Sequence, residues 1–250
     1  MARTILITGA SSGLGEGMAR EFAARGDRLA LCARRTERLD HLQAELERDY
    51  PGVTVSVRAL DVDNHDQVFE VFRAFQSEFS TLDRVIVNAG IGSGQALGTG
   101  NFAANRQTAE TNFVSALAQM EAAMEIFRQQ GQGHLVTVSS VSAVRGMPGS
   151  INTYAATKVG LAALSEGLRV ELAKAKSPIR VTTLYPGYIK TAINEQVKNA
   201  PFRVDAKTGC KAMVKAIESG RAECFVPGWP WTAVGFLLRR LPVSVLAKMF

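Results

Sequence analysis

The feature that most constrains the fold is a regular alternation of short aliphatic runs with longer amphipathic runs. The short runs each end in small or polar residues, and they cover residues 4–8, 28–33, 53–57, 82–87, 135–138 and 179–184. Between them, apolar residues recur at helical spacing, as Val68, Phe72 and Phe75 do. Strands that alternate with helices at such intervals form a parallel sheet covered on both faces. The sequence therefore predicts an α/β fold in which a single domain contains one doubly wound parallel sheet.

The first predicted strand runs directly into a turn of small residues. This segment reads Gly9-Ala10-Ser11-Ser12-Gly13-Leu14-Gly15, and a helical pattern follows it. Small residues let the backbone approach a pyrophosphate, and a helix N-terminus offers unpaired N–H groups at the positive end of the helix dipole. Strand, glycine-rich turn and helix in this order predict a Rossmann fold, whose ligand crevice lies outside the carboxyl ends of the strands. A tight turn that binds nothing is the alternative.

The second predicted strand delivers two arginines to that same edge. Ala33 stands where a unit that binds NAD usually has an acid for the ribose 2′-hydroxyl, and Arg34 and Arg35 follow it. A guanidinium group binds a phosphate through forked, charge-assisted hydrogen bonds. The pattern favours NADP(H) over NAD(H), with solvated arginines as the alternative. The third strand leads to Asp61-Val62, where the chain could reach an adenine.

Composition narrows the class of protein. At 250 residues, 46% of them hydrophobic, the chain is expected to form one large domain. Its three cysteines form no CxxC motif and its three histidines are scattered, which argues against a metal site. The net charge of +6 comes from short basic clusters without interleaved aromatic residues, so no nucleic-acid partner is expected. The apolar start of the chain is too short for a signal peptide, and the expected location is the cytoplasm.

A tyrosine and a lysine four residues apart are the candidate groups for proton transfer. Tyr154 and Lys158 fall on one face of a helix predicted to run to about Lys174, so their side chains lie near each other. A phenol with a pKa of about 10 is a poor acid at neutral pH. A neighbouring ammonium group favours the phenolate, so we expect Lys158 to lower the pKa of Tyr154 toward useful proton transfer. Alone, this pair also fits a solvated helix face.

Together these residues resemble the classical short-chain dehydrogenase/reductase family over nearly all of the chain to about residue 226. Thr8-Gly9, Gly13 and Gly15 are similar to its cofactor turn, Asn88-Ala89-Gly90 to its fourth-strand motif, and Pro186-Gly187 with Thr191 to its nicotinamide segment. The resemblance implies a catalytic set of Asn112, Ser140, Tyr154 and Lys158. It also implies cofactor contacts at Gly9, Ser11, Ser12, Gly13, Leu14, Gly15, Arg34, Arg35, Asp61, Val62, Asn88, Ala89, Gly90, Tyr154, Lys158, Pro186, Gly187, Ile189 and Thr191.

The roles of these residues follow from the resemblance as well. Ser140 would donate a hydrogen bond to a carbonyl oxygen, and Tyr154 would act as general acid or base. Lys158 would bind the nicotinamide ribose and depress the pKa of Tyr154, while Asn112 would hold a water that links Lys158 to solvent. The implied activity is hydride transfer between NADP(H) and a carbonyl or secondary alcohol. An NAD-linked alcohol dehydrogenase and a non-catalytic NADP(H)-binding sensor or scaffold are the alternatives.

The sequence departs from the family pattern in two places. Val87 replaces the first Asn of the usual Asn-Asn-Ala-Gly, and the interval from Ser140 to Tyr154 is one residue longer than the commonest spacing. The longer interval leaves Ser139 and Ser142 as neighbouring candidates, although Ser140 directly follows the strand.

Two regions bear on substrate and assembly. Residues 188–205 are predicted to form a substrate flap, in which Tyr188, Ile193 and Phe202 suggest an apolar or bulky substrate. The resemblance implies a homodimer or homotetramer paired through the helices that carry Asn112 and Tyr154. Residues 1–226 are taken as the catalytic domain and 227–250 as an extension.

The extension, residues 227–250, combines apolar residues at helical spacing with basic ones. Trp229, Leu237 and Leu238 belong to the apolar set, and Arg239 and Arg240 to the basic set. Three interpretations compete: packing on its own domain, a subunit contact, or weak contact with an anionic membrane surface. The first two are favoured together.

Overall fold

Seven strands and the helices between them account for most of the chain in the computed structural model, which describes residues 2–92, 94–191 and 200–248. The strands are β1 Thr4–Thr8, β2 Arg28–Ala33, β3 Val55–Ala59, β4 Arg84–Val87, β5 His134–Val138, β6 Arg180–Pro186 and β7 Glu223–Val226. The helices are α1 Gly13–Ala23, α2 Thr36–Asp49, α3 His65–Phe79, α4 Phe102–Ala109, α5 Ser115–Gln130, α6 Asn152–Lys174, α7 Ala206–Glu218, α8 Gly228–Leu238 and α9 Val243–Leu246.

All the strands pair in parallel, in the order β3-β2-β1-β4-β5-β6-β7. The order reverses between β1 and β4, and a crevice opens at such a switch point outside the carboxyl ends of the strands. The doubly wound parallel sheet predicted from the sequence is confirmed. Its ligand crevice lies where the turn at Gly9 and the motif at Asn88 follow β1 and β4.

The core has two halves, one on each face of the sheet. On one face, Phe72 and Phe75 of α3 pack with Phe127 of α5 and Leu161 of α6. On the other, Met18 and Phe22 of α1 pack with residues of α2 and α7. Side chains that alternate along each strand feed both halves, because successive residues of a strand point to opposite faces. The prediction of helices on both faces is therefore confirmed.

Two parts of the fold differ from the sequence prediction. The sequence over about 103–130 predicts a single long helix with Asn112 in its apolar stripe, but a π-helical turn, Glu110–Val114, separates α4 from α5. In that turn the Ser115 N–H donates to the Glu110 carbonyl, five residues back, so one turn is widened around Asn112. The elements α7 and β7 were not predicted at all. β7 has only four residues and begins with Glu223, so its pairing with β6, more than its own pattern, defines it.

The segment after β7 packs partly on its own domain. Leu238 of α8 and Leu246 of α9 are buried against Val144, which belongs to a short 3-10 helix, Val141–Val144, after β5. Among the residues that the structure describes, no helix is long and apolar enough to cross a membrane. The division of the chain at residue 226 stays a prediction.

Candidate active site

The turn after β1 brings backbone N–H groups to the crevice. Gly9 has φ +65°, a conformation that favours glycine, and a methyl group at Gly15 would lie 2.4 Å from the Gly9 carbonyl oxygen. Ser12 precedes α1, but among the described residues its side chain makes no capping hydrogen bond. The first N–H groups of α1 are thus left without a side-chain cap. A helix start of this kind suits a pyrophosphate, so the turn fits a dinucleotide.

A threonine clips the ends of β1 and β4 together. The Thr8 Oγ1 accepts hydrogen bonds from the N–H groups of Asn88 (3.0 Å) and Ala89 (3.1 Å), and it donates to the Ile86 carbonyl. The Asn88 amide donates in turn to the Thr8 carbonyl at 2.9 Å. The clip holds the two predicted cofactor segments side by side at the switch point. Thr8 belongs to the motif that resembles the cofactor turn, but it was not among the predicted cofactor contacts, because nothing in the sequence links its hydroxyl to Asn88 and Ala89.

The two predicted arginines have different neighbours, since Arg35 contacts this turn and Arg34 lies beside Asp61. The Arg35 Nη2 donates to the hydroxyls of Ser12 (2.7 Å) and Ser11 (3.2 Å). Arg34 has a side chain that is 65% exposed, and its Nη1 lies 4.0 Å from the carboxylate of Asp61. The sequence prediction that β2 delivers two guanidinium groups to the crevice edge agrees with this placement. One of them contacts the cofactor turn itself.

Asn112 is held beside the strand ends by a pair of backbone hydrogen bonds. Its Oδ1 accepts from the Ile91 N–H and its Nδ2 donates to the Ile91 carbonyl, each at 2.8 Å, and the residue is fully buried. A methyl group at Gly90 would lie 3.0 Å from the Asn112 Oδ1 and 3.5 Å from the Lys158 Nζ, so the two side chains converge there. Because Ile91 engages the amide, the structure gives Asn112 a positioning contact. A water held between it and Lys158 stays a prediction.

Three neighbouring serines have different environments. The Ser139 hydroxyl is buried and donates to the Lys158 carbonyl at 2.8 Å, so it faces α6. The Ser140 Oγ accepts from the Ser142 N–H at 3.1 Å and is close enough to the Tyr154 hydroxyl to act on its pKa. The Ser142 Oγ is buried without a hydrogen-bond partner in the described chain. This geometry favours Ser140 over its neighbours as the hydroxyl that works with Tyr154.

The electrostatics of Tyr154 and Lys158 differ from the sequence expectation. Burial raises the pKa of Tyr154, the hydrogen bond with Ser140 acts in the opposite direction, and the nearby Tyr188 raises it further. Burial also lowers the pKa of Lys158 to about 8. The Lys158 Nζ donates to the Val138 carbonyl at 2.9 Å and lies 5.8 Å from the centre of the Tyr154 ring. The expectation that the pKa of Tyr154 is lowered is wrong for the protein alone, because desolvation of the phenol raises that pKa.

The other predicted cofactor residues divide between the crevice and the core. Thr191 reaches the turn, since a methyl group at Gly13 would lie 3.5 Å from its Cγ2. Val62 is part of the core beside α3, and the Ile189 side chain packs against Gly209 of α7. Four residues that were predicted to contact a cofactor have side chains partly or wholly in the core, so any such contact would come from their backbone. They are Leu14, Val62, Pro186 and Ile189.

An aromatic group near Tyr154 was not predicted as a unit. Trp231 of α8 is 4% exposed, and its ring centre lies 5.9 Å from that of Tyr188 and 5.7 Å from that of Phe202. A methyl group at Gly187 would lie 2.0 Å from the Trp231 Nε1, so the tryptophan covers the predicted nicotinamide segment. In the sequence, Tyr188 and Phe202 are signs of an apolar substrate. Nothing in the sequence links them to Trp231, because it lies in the segment after the predicted catalytic domain. Ile193, the third flap residue, lies outside the described residues.

Comparisons with known proteins identify the family. The family model described as short chain dehydrogenase matches residues 3–201. An uncharacterized oxidoreductase of Mycobacterium tuberculosis is 52% identical over 238 residues, which cover 95% of this chain and 93% of the relative. Within the residues that the structure describes, no group of histidine, cysteine and acidic side chains could hold a metal ion.

Two solved structures show the same fold. An alcohol dehydrogenase from the archaeon Thermococcus sibiricus, complexed with 5-hydroxy-NADP, is 25% identical with a TM-score of 0.79, and the match covers 90% of this chain and 96% of that one. A short chain dehydrogenase/reductase from Burkholderia phymatum, in complex with NAD, is 20% identical with a TM-score of 0.85 and covers 99% of this chain and 95% of that one. Similar folds therefore bind either nicotinamide cofactor.

Proposed function

The chain belongs to the short-chain dehydrogenase/reductase family, and from this premise we propose that it is an NADP(H)-dependent reductase of carbonyl compounds. The observation that carries the proposal is the convergence of Ser140, Tyr154 and Lys158 at the carboxyl ends of β4 and β5, beside an uncapped helix start. Each residue type suits one part of the reaction. A bound nicotinamide cofactor would supply or accept the hydride.

The protein's own groups would hold the carbonyl and move the proton. The Ser140 hydroxyl, oriented by the Ser142 N–H, donates toward the substrate oxygen, where negative charge develops. The Tyr154 phenol stays protonated at neutral pH because its pKa is raised, so it is in the right state to donate a proton to that oxygen. In alcohol oxidation the same group removes the proton, and the raised pKa makes that direction more dependent on high pH.

Lys158 would serve cofactor binding and charge. Its ammonium uses one N–H for the Val138 carbonyl, which leaves two donors for the nicotinamide ribose. Because its pKa is lowered to about 8, most molecules carry the charge at pH 7 and lose it as the pH rises through about 8. With an anionic cofactor in place, this charge also favours the tyrosinate of the oxidative direction.

The preference for NADP(H) rests on Arg34 and Arg35. Arg34 is exposed at the end of β2 with a single acidic neighbour at 4.0 Å, and Arg35 already bonds the serine hydroxyls of the cofactor turn. Two guanidinium groups at this edge suit a 2′-phosphate. The position where an acidic residue would hold a free 2′-hydroxyl is occupied by Ala33, which cannot do so. NADPH should therefore bind more tightly than NADH.

The test is to titrate NADPH and NADH separately against the wild type, Arg34→Ala and Arg35→Ala. Each arginine should contribute about tenfold to NADPH affinity, as expected for a charge-assisted contact with phosphate, and NADH affinity should change little. Tight NADH binding, or equal loss of both cofactors, would contradict the arginine assignment and favour an NAD-linked dehydrogenase. Binding of NADPH without reduction of any ketone or aldehyde would favour the sensor or scaffold instead.

The substrate and assembly are part of the same proposal. Tyr188, Trp231 and Phe202 form an aromatic group beside Tyr154, which supports an apolar or bulky carbonyl compound. Exposed apolar residues on the helices that carry Asn112 and Tyr154 support pairing through them in a homodimer or homotetramer; these include Val114, Leu117, Val159 and Val170. Sedimentation velocity would test the assembly, and cell fractionation would test the predicted cytoplasmic location.

A further inference from the structure

The segment from α8 to α9 exposes an unusual share of apolar surface. Trp229 is 81% exposed and Val243 72%, and Phe236, Leu237 and Val245 are exposed with them. We call these five side chains the tail patch. In the same segment Trp231, Leu238 and Leu246 are buried. One side of the segment is therefore buried against the domain, and the tail patch is the apolar surface that stays exposed.

The charge of this segment has one sign. Residues 224–250 contain Arg239, Arg240 and Lys248 and no Asp or Glu. In the described chain no carboxylate lies within 4.0 Å of these three cations. The Arg240 guanidinium lies 3.7 Å from the centre of the Phe236 ring, and Arg239 lines the same surface cavity. Cationic and apolar groups thus lie together around Phe236, Arg239 and Arg240 in this segment.

The segment is also held firmly against the domain. The Arg145 Nη1 donates to the Leu238 carbonyl at 2.9 Å and to the Leu241 carbonyl, and Leu238 and Leu246 pack on Val144. The patch is therefore presented by an already ordered segment, and little conformational entropy is lost when something binds it.

We propose that the tail patch with Arg239, Arg240 and Lys248 docks on an anionic membrane surface. Aromatic and aliphatic side chains enter the boundary between headgroups and acyl chains, while basic groups contact anionic headgroups, and the two effects together are what interfacial binding requires. A second copy of the chain fits less well. In a symmetric contact the patch would meet itself and bring six unpaired cations together, with no acidic residue from the segment to neutralise them.

The buried side of the segment lies near the proposed active site. Val144, which packs against Leu238 and Leu246, is four residues from Ser140, and Trp231 lies over Gly187. Docking through the exposed tail patch leaves these contacts in place, and it does not depend on the proposed reductase function.

The experiment is co-sedimentation of the full chain with vesicles of phosphatidylcholine alone and of phosphatidylcholine with phosphatidylglycerol, at low and high salt. We expect binding to the anionic vesicles, weakened by salt, with a blue shift of tryptophan fluorescence because Trp229 is exposed before docking. Arg239→Gln/Arg240→Gln/Lys248→Gln should bind roughly a hundredfold more weakly, and Phe236→Ser/Leu237→Ser should also lose binding. Arg73→Gln is the matched control, since Arg73 also lies over an aromatic ring, Phe69, on a different helix.

Three results would overturn the proposal. They are no binding to either vesicle, equal binding to both that the charge variant does not weaken, and self-association without lipid that Phe236→Ser/Leu237→Ser abolishes. The last result would assign the patch to a second copy. All substituted side chains are exposed, so thermal unfolding should remain unchanged and loss of binding cannot be mistaken for loss of fold. NADPH oxidation with a water-soluble aldehyde, measured without vesicles, tests the proposed function separately.

Discussion

Charged groups are paired differently at the two edges of the parallel sheet, the amino edge where the strands begin and the carboxyl edge where they end. At the amino edge, Arg84 is 2% exposed, and its Nη1 donates to Glu218 at 2.7 Å while its Nε donates to the His134 Nδ1 at 3.1 Å. The His134 Nε2 then bonds the Thr182 hydroxyl at 2.8 Å, and Arg3 reaches the same Glu218 at 2.8 Å. Each of these charges has a partner from a different part of the chain.

At the carboxyl edge, the polar groups are left partly unpaired. The buried ammonium of Lys158 has one carbonyl acceptor, the Ser142 hydroxyl has no partner among the described residues, and α1 begins without a side-chain cap. The amino edge uses its buried charges to hold the fold, because unpairing any of them is costly. The carboxyl edge keeps donors available for ligands at a cost in stability. Each edge should therefore respond differently to the same kind of change.

The largest effect is expected at the amino edge, on acidification. Burial lowers the pKa of His134 to about 3, with Arg84 acting in the same direction, against an ordinary value of about 6.5. Below pH 6.5 the unfolded chain takes up a proton that the folded chain refuses, so stability falls as the pH falls from about 6.5 to about 3. At 1.36 kcal/mol per pH unit, the loss approaches about 4–5 kcal/mol.

Urea unfolding at several pH values measures this loss, and His134→Asn isolates it. Asparagine can still accept from Arg84 but does not titrate, so the variant should lose less stability than the wild type over this interval. Identical pH profiles for the two proteins would show that His134 is not the titrating group.

The next effect lies at the carboxyl edge and concerns activity alone. Tyr154→Phe removes the proposed proton donor, and the reduction rate should fall roughly 10²–10⁴-fold. Its melting temperature should stay close to the wild-type value, because the ring remains in place. The matched control is Tyr185→Phe, which removes a hydroxyl bonded to Glu223 outside the proposed site. A variant at Tyr154 that keeps most of its activity would exclude the proposed mechanism.

The third effect is a loss of stability when the hydrogen-bonded network of Arg84, Glu218 and His134 at the amino edge is broken. Burial tends to raise the pKa of Glu218, but hydrogen bonds from Arg3 and Arg84 outweigh it and hold that pKa below its ordinary value. Glu218→Gln leaves the buried Arg84 without a counter-charge and should cost about 3 kcal/mol, or about 6–12 °C in melting temperature. Calorimetry at pH 7 measures the shift. Glu78→Gln, which breaks an exposed pair with Arg58, should change stability by less than about 1 kcal/mol.

The smallest effect has the opposite sign and comes from Lys158. Its pKa of about 8 lies below the ordinary 10.5, so the charged form is disfavoured by folding, and stability rises as the pH rises from about 8 to about 10.5. Lys158→Met removes that cost at pH 7 but loses the bond to Val138, so we expect a net gain of about 1–2 kcal/mol. The gain should shrink near pH 10, while activity is lost.

The control for Lys158 is Lys174→Met on the same helix, where the side chain is exposed and should show no pH-dependent gain. Destabilisation of Lys158→Met at pH 7 would mean that the ammonium is fully satisfied. The proposed difference between the two edges would then be wrong for Lys158, the residue on which it most depends.

Much of the fold was predictable because it depends on patterns between near neighbours. The bounds of β1 and β2 were predicted to the residue, since short aliphatic runs bounded by glycine and arginine are typical of strands buried on both faces of a parallel sheet. The placement of Gly9, Arg34 and Asn88 at one edge followed as well, because parallel strands end at the same side of a sheet. By contrast, β7 and the widened turn at Asn112 had no local signal, and pairing with β6 and packing on Ile91 define them.

The sequence by itself therefore determined the fold class, the edge that carries the site and the residue types gathered there. Only the tertiary structure decided which serine faces Tyr154, because Ser139 turns to the Lys158 carbonyl while Ser140 stays near the phenol. It also decided that Tyr154 has a raised pKa, since desolvation depends on every atom packed around the ring. Periodicity and turn chemistry are properties of a short stretch of chain, whereas burial and the choice of hydrogen-bond partner depend on residues that are distant in sequence.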